Sequence, residues 1–152
     1  MDYVKYIRSK VGHDKIFLNC VAAAIMNGED EVLLQRRSDR NTWGFPGGVM
    51  ELGESFDKSL KREVLEETGL QVEIVDLIGV YSDYSDAYPN GDEAQPILLF
   101  FLCKVVLGQL STDDDETLEL RYFRKDQEPE LVNKQHCDMF RDLFNRTNIV
   151  IS

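Results

Sequence analysis

Residues 48–70 read GVMELGESFDKSLKREVLEETGL, and this stretch decides the fold. Its residues 55–68 are predicted as a helix. Phe56, Leu60, Val64 and Leu65 recur at steps of about four, which makes an apolar stripe along one side. Glu54 or Ser55 suits the start, since acidic and hydroxyl side chains satisfy the orphan N–H groups of a first turn. Gly69 suits the end, at the usual place of a left-handed cap. Glu63, Glu66 and Glu67 then stand at i, i+3 and i+4, so their carboxylates share one face. Like charges at that spacing repel by roughly a few tenths of a kcal/mol per exposed pair. A hard divalent cation removes the repulsion. Oxygen-only ligands favour Mg²⁺, with Mn²⁺ as a substitute, over zinc. The plain alternative is a solvated helix face. Here Arg62 and Glu54 accompany the cluster, and the arginine is expected to pair with Glu54 and to orient the preceding loop against the helix.

That loop, Trp43-Gly44-Phe45-Pro46-Gly47-Gly48, holds three glycines and a proline within six residues. Glycine lets a backbone approach a ligand closely, and Pro46 stiffens the turn. A tight strand-to-helix turn explains the same residues, and both readings can hold together.

Gly48, Glu54, Arg62, Glu63, Val64, Glu66, Glu67, Gly69 and Leu70 are nine constrained positions within 23 residues. Their pattern resembles the signature of the Nudix hydrolases. The resemblance runs from about residue 17 to 145, but its specific motif is this box. It implies an α/β fold, an α/β/α sandwich with a mixed β-sheet. It also implies hydrolysis of a phosphoanhydride in a nucleoside diphosphate linked to another moiety. The metal ligands it implies are the Gly48 carbonyl, Glu63, Glu66 and Glu67. The general base varies within the family. Glu66, Glu54 and Glu51 are candidates inside the box, and Glu116 and Glu119, before the strand Arg121-Tyr122-Phe123, are candidates outside it. A non-catalytic nucleotide-sensing module on the same fold is the alternative; such modules usually lose box residues, and this box is intact.

Candidate substrate contacts lie outside the box. Arg36 and Arg37 end the strand that leads to the glycine loop and are candidates for a phosphate, with Arg40 weaker. Trp43 is the only tryptophan, and it either stacks near the site or packs the core. The segment 81–96 is polar and turn-rich and can cover a substrate. Tyr88 lies 18 residues after Leu70, near the place of a tyrosine in the dinucleoside polyphosphate hydrolases of the family. Pro89 fits the corresponding proline of its ADP-ribose hydrolases poorly. The expected partner is a small nucleotide.

The rest of the chain frames this reading. Its 152 residues suit one domain, 1–152, as a monomer or homodimer. Seventeen Lys and Arg against 28 Asp and Glu leave a net charge of −11, which argues against non-specific binding to nucleic acid. No run is apolar enough for a membrane span, and no secretory leader pattern opens the chain. Cys20, Cys103 and Cys137 are odd in number and far apart, and the first two lie in apolar runs, so they are read as core thiols. A cytoplasmic protein is expected. Asp2–Lys10 is predicted as a short helix with Tyr3, Tyr6 and Ile7 on one side. Phe17–Met26 and Glu31–Arg37 are predicted as a hairpin of two strands across the turn at Asn27. Gln71–Ser82 is β-rich. Ile97–Val106 is the strongest strand and reads as covered on both faces. Ser111–Asp115 is predicted as a loop, Leu118–Phe123 as a strand and His136–Asn145 as a last helix. One mixed sheet between helices is the expected architecture.

Overall fold

The computed structural model describes residues 1–112 and 115–152. Helix α1 spans Tyr3–Val11, followed by β1 (Ile16–Ile25), β2 (Val32–Arg37), β3 (Trp43–Gly44) and β4 (Gly47–Val49). Helix α2 (Phe56–Thr68) leads to β5 (Leu70–Tyr81), β6 (Asp86–Ala87), β7 (Glu93–Gly108) and β8 (Thr117–Phe123). A short 3₁₀ turn at Lys125–Gln127, helix α3 (Lys134–Asn145) and β9 (Val150–Ile151) complete the chain. Asp113 and Asp114 of the predicted loop lie outside the described residues. Among the described residues, no helix is long and apolar enough to cross a membrane.

The main sheet is mixed, in the order β4-β1-β7-β5-β9, with β6 also on β7. β1 runs parallel to β7 and antiparallel to β4, and β5 runs antiparallel to β7. Successive side chains of a strand face opposite ways, and β1 uses this to serve two cores. Val21, Ala23 and Ile25 pack with Leu60 and Val64 of α2. Ala22 and Ala24 pack with Phe45, Phe100, and Met139 and Phe140 of α3. The sheet is thus sandwiched between α2 and α3, as expected.

Several expectations need correction. β1 and β2 do not form a hairpin ladder. A single bridge, Met26 to Val32, links them, because β4 and β7 already occupy both edges of β1. β2 instead joins β3 and β8 in a second, three-stranded antiparallel sheet. On α2, Leu60 and Val64 are fully buried, but Phe56 and Leu65 are exposed. Burial instead follows Leu60, Val64, Glu67 and Thr68, and Leu65, about 100° round from Val64, falls off that face. On α1, Tyr3 and Ile7 are half-buried, but so are Val4 and Val11, and Tyr6 is exposed. β7 is longer than expected. It is covered as far as Cys103, beyond which Lys104–Gly108 outruns both layers and is exposed.

Candidate active site

Helix α2 has the ends its sequence suggests. The Ser55 side chain accepts the Lys58 N–H at 3.2 Å. Gly69 adopts a left-handed φ of 78° and donates its N–H to Leu65 O. Between these caps the three glutamates have unequal surroundings. Glu67 is 5% exposed. It accepts the Gly47 N–H at 2.9 Å and a hydrogen bond from Gln35 Nε2. Gln35 is itself buried, and its Oε1 accepts from Thr117 Oγ1 at 2.8 Å. The side chain of Glu63 is 17% exposed, and that of Glu66 is 58% exposed at the rim. Burial pushes the Glu63 carboxyl up to about 7, against the pull of Arg62. Burial, and then the Glu63 charge, hold Glu67 well above the usual carboxylate range. Two neighbouring, largely desolvated carboxylates share a proton unless a cation lets both stay ionised.

The glycine loop is where this pair meets the main chain. Gly47 and Gly48 are registered with Ala22 and Val21 in the β1–β4 ladder. Gly47 has a φ of 157°, and a Cβ there would lie 2.1 Å from Val21 O. A Cβ on Gly48 would lie 2.7 Å from Glu63 Cδ and Oε1. Only glycine therefore leaves room for the Glu63 carboxylate against this backbone. Paired acidic oxygens beside a bare main chain fit a hard, oxygen-seeking cation. Among the described residues, no three acidic, His or Cys side chains stand gathered ready for an ion. Glu66 is exposed at the rim, and Arg62 bridges Glu54 and Glu63.

Arg62 makes the expected pair with Glu54, through Nε–Oε2 at 2.7 Å and Nη2–Oε1 at 2.8 Å. Its third nitrogen, Nη1, donates to Glu63 at 3.0 Å and reaches Glu66 at 3.5 Å. The Arg62 hydrogen bonds hold the Glu54 carboxyl below the usual range. Glu51 is taken up elsewhere. Its Oε2 accepts the Tyr3 N–H at 2.9 Å, and its own N–H donates to Glu54 Oε1 at 3.1 Å.

The residues outside the box separate into two groups. Gln35 faces Glu67, so Arg37, two residues on, shares its side of β2 and Arg36 takes the other. Burial is the main cause of the pKa shifts of Cys20, Glu67, Tyr88 and His136, and the Arg37 charge bears on all four. The Arg37 guanidinium itself is held by Asp39 at 2.8 and 3.2 Å. Arg36 reaches Asn41 at 2.6 Å and Glu119 at 3.4 Å. Glu119 is bound more closely by Arg121, at 2.5 Å, which lowers its pKa. Glu116 lies in the turn before β8, where its carbonyl accepts the Ser38 N–H at 3.0 Å. Trp43 takes the core-packing alternative. It is 9% exposed, edge-on to Phe123 at 4.9 Å, with Arg121 over its ring. Tyr88 is half-buried, with the Arg40 guanidinium 5.2 Å from its ring centre. Arg40 also binds Asp86 at 3.0 Å. Cys20 is pushed up to about 12 by burial and then by the Glu63 charge, so its thiol is inert beside the site.

Two functional neighbours escaped the sequence reading. Gln35 was signalled only as a lone polar residue after Val32-Leu33-Leu34. His136 was read only as the start of a helix. The structure buries it, and its Nδ1 accepts the Phe45 N–H at 3.1 Å, holding the glycine loop. Burial, and then the Arg37 charge, lower its pKa from 6.5 to about 3. A depressed histidine leaves stability intact above the unfolded value and removes it as pH falls from 6.5 toward 3, because only the unfolded chain then takes up the proton. At pH 5 the loss is about 2 kcal/mol. Urea midpoints at pH 7 and pH 5 should therefore differ more for the wild type than for His136→Gln. Equal pH dependence in the two proteins would refute this account.

A family profile described as NUDIX domain matches residues 17–143. A MutT-like protein of Streptomyces ambofaciens is 36% identical over 97 residues, covering 64% of this chain and 58% of that protein. A Methanocaldococcus jannaschii protein named ADP-ribose pyrophosphatase is 33% identical over 111 residues, covering 71% of this chain and 63% of that one. The chain thus spans less than two thirds of the length of either relative. A crystal structure of a MutT protein from Methanosarcina mazei Go1 superimposes with a TM-score of 0.69 at 26% identity, covering 89% of this chain and 99% of that one.

Proposed function

The chain belongs to the NUDIX domain family, and on that premise we propose that it is a metal-dependent hydrolase. Its reaction is cleavage of a phosphoanhydride in a nucleoside diphosphate linked to another moiety, with a nucleoside monophosphate among the products. The observation that carries this reading is the pairing of half-buried Glu63 with buried Glu67, both with raised pKa values, set against the bare backbone of Gly48. Glu63, Glu66, Glu67 and the Gly48 carbonyl would hold the cation, Mg²⁺ or Mn²⁺. When bound, it supplies charge neutralisation for the pyrophosphate and a lowered pKa for the attacking water.

The chain's own residues do the rest. Gln35 and the Gly47 N–H fix the Glu67 carboxylate, so the acidic face is preset. Glu54 engages two nitrogens of Arg62 and so limits what that arginine can take from Glu63 and Glu66. Arg37, held by Asp39, is assigned to meet phosphate oxygens. Among the base candidates, Glu54 is committed to Arg62, Glu51 to Tyr3, and Glu119 to Arg121 and Arg36. We assign the proton from water to Glu66, exposed at the rim of the same helix face, with Glu116 on the turn before β8 as the other candidate.

The test is a product screen of nucleoside triphosphates, ADP-ribose, nucleotide sugars and dinucleoside polyphosphates with Mg²⁺. Release of a nucleoside monophosphate is expected, and EDTA should abolish it. Full turnover in EDTA, or no product from any class, overturns the reading. Substrate choice is assigned to the half-buried Tyr88. Its pKa is raised by burial, and its partner Arg40 is tied to Asp86. Tyr88→Ala should change the relative kcat/KM of two unrelated substrates by about 1–3 kcal/mol, the worth of a stacked base. An equal fall for both, or no change, removes Tyr88 from recognition.

A further inference from the structure

We propose that helix α1 is a strut for the acidic site, and that Glu51 is the positioning residue through which it acts. Three linked contacts carry the idea. The Tyr3 N–H donates to Glu51 Oε2 at 2.9 Å. The Glu51 N–H donates to Glu54 Oε1 at 3.1 Å. Glu54 then holds Arg62 by two bonds, at 2.7 and 2.8 Å. The line runs from the first residue of α1 to the arginine that touches Glu63 and Glu66.

The helix is built to be held at its ends. Asp2 caps it, with its side chain on Lys5 N–H, which leaves Tyr3 N–H free for a partner outside the helix. None of its residues is fully buried. Its last turn is fastened by Arg8, which donates to Glu93 O at 2.8 Å and to Asp14 O at 2.7 Å and pairs with Asp92 at 3.5 Å. A carboxylate at the helix N-terminus is also favoured by the helix dipole. Glu51 therefore anchors α1, and α1 in turn fixes the turn 51–54 on which Glu54 depends. α1 lies outside the matched residues 17–143, so the family resemblance does not supply this role.

The consequence follows from competition at Arg62. While Glu54 holds two of its nitrogens, only Nη1 is left to contest Glu63 and Glu66. If turn 51–54 slackens, Glu54 loosens, and the guanidinium swings toward the carboxylates that a cation needs. Cation affinity should fall. The inference rests on the metal-dependent reading above.

The cleanest variant is Tyr3→Pro. Proline is accepted at the first position of a helix, and it removes only the N–H. Asp2 already has the extended backbone (φ −94°, ψ 100°) that a following proline wants. Tyr3→Ala is the control, removing the ring and keeping the N–H. Mn²⁺ binding to the full chain is measured by calorimetry, without substrate, with circular dichroism to confirm the fold. Tyr3→Pro and Glu51→Ala should each raise the Mn²⁺ Kd by about tenfold, the lower range for loss of an outer partner of a metal site. Tyr3→Ala should bind as the wild type does, and Glu51→Gln, which keeps an acceptor oxygen, should recover most of the affinity. In the Glu51→Ala background, Tyr3→Pro should add nothing. Wild-type affinity in folded Tyr3→Pro, or additive losses in the double variant, overturns the strut alone. Failure of the wild type to bind Mn²⁺ overturns the metal reading and the strut with it. Should Tyr3→Pro not fold, equal affinities of Glu51→Ala and the wild type overturn the strut, and weakening rescued by Glu51→Gln supports it.

Discussion

Glu66→Gln is expected to lower turnover at least ~100-fold, the scale of losing a group that stabilises charge or moves a proton in the reaction. Its melting temperature should barely change. The side chain is 58% exposed and approaches Arg62 at 3.5 Å, so the stability effect should stay within about 0.5 kcal/mol. Glu67→Gln should be equally inactive but for mixed reasons. Its carboxylate also accepts from Gly47 N–H and Gln35 Nε2 in a buried setting, and an amide there brings its own N–H group against one of those donors. The two variants together separate chemistry from folding. Steady-state kinetics with excess Mg²⁺ and thermal melts decide it, and a fully active Glu66→Gln protein would remove Glu66 from the reaction.

Gly48→Val is expected to cost activity on a similar scale, about 100-fold, through loss of cation binding. The reason is steric and specific. A Cβ at this position would sit 2.7 Å from both Cδ and Oε1 of Glu63, so the carboxylate must swing away. Gly48 is not itself among the positive-φ glycines, which include Gly47 and Gly69. The branched side chain acts on Glu63 rather than on its own backbone. The fold should survive better than the activity, since a half-buried carboxylate can move where a backbone cannot. Gly47→Val is the contrast: its Cβ would strike Val21 O at 2.1 Å and break the β1–β4 ladder. Circular dichroism and Mn²⁺ titration of both variants check this. Wild-type cation affinity in Gly48→Val would end the role assigned to that position.

The helix α2 and its caps were legible because the determinants are local. Ser55, Gly69, Leu60 and Val64 act within a few residues of one another, and a 3.6-residue period places three glutamates on one face whatever surrounds the helix. The Arg62–Glu54 pair was legible for the same reason, being eight residues apart across one helix start. The exposed Phe56 and Leu65 were misread because a period shows which side a residue faces, not how far the opposing layer extends.

By itself, then, the sequence determined the acidic helix, its glycine loop and the family to which they belong. The tertiary structure alone decided which groups meet that helix. Gln35 reaches Glu67 from 32 positions away, Tyr3 reaches Glu51 from 48, and His136 reaches Phe45 from 91. It also set Arg37 on Asp39 and Arg36 toward Glu119, and turned Trp43 into the core. These outcomes hang on strand order, on which edges of β1 are already filled, and on the one-residue irregularity between Arg36 and Arg37 against β8. A strand's side chains reverse face with every residue, so pairing partners and register, which only the packed whole selects, decide which residue enters the site.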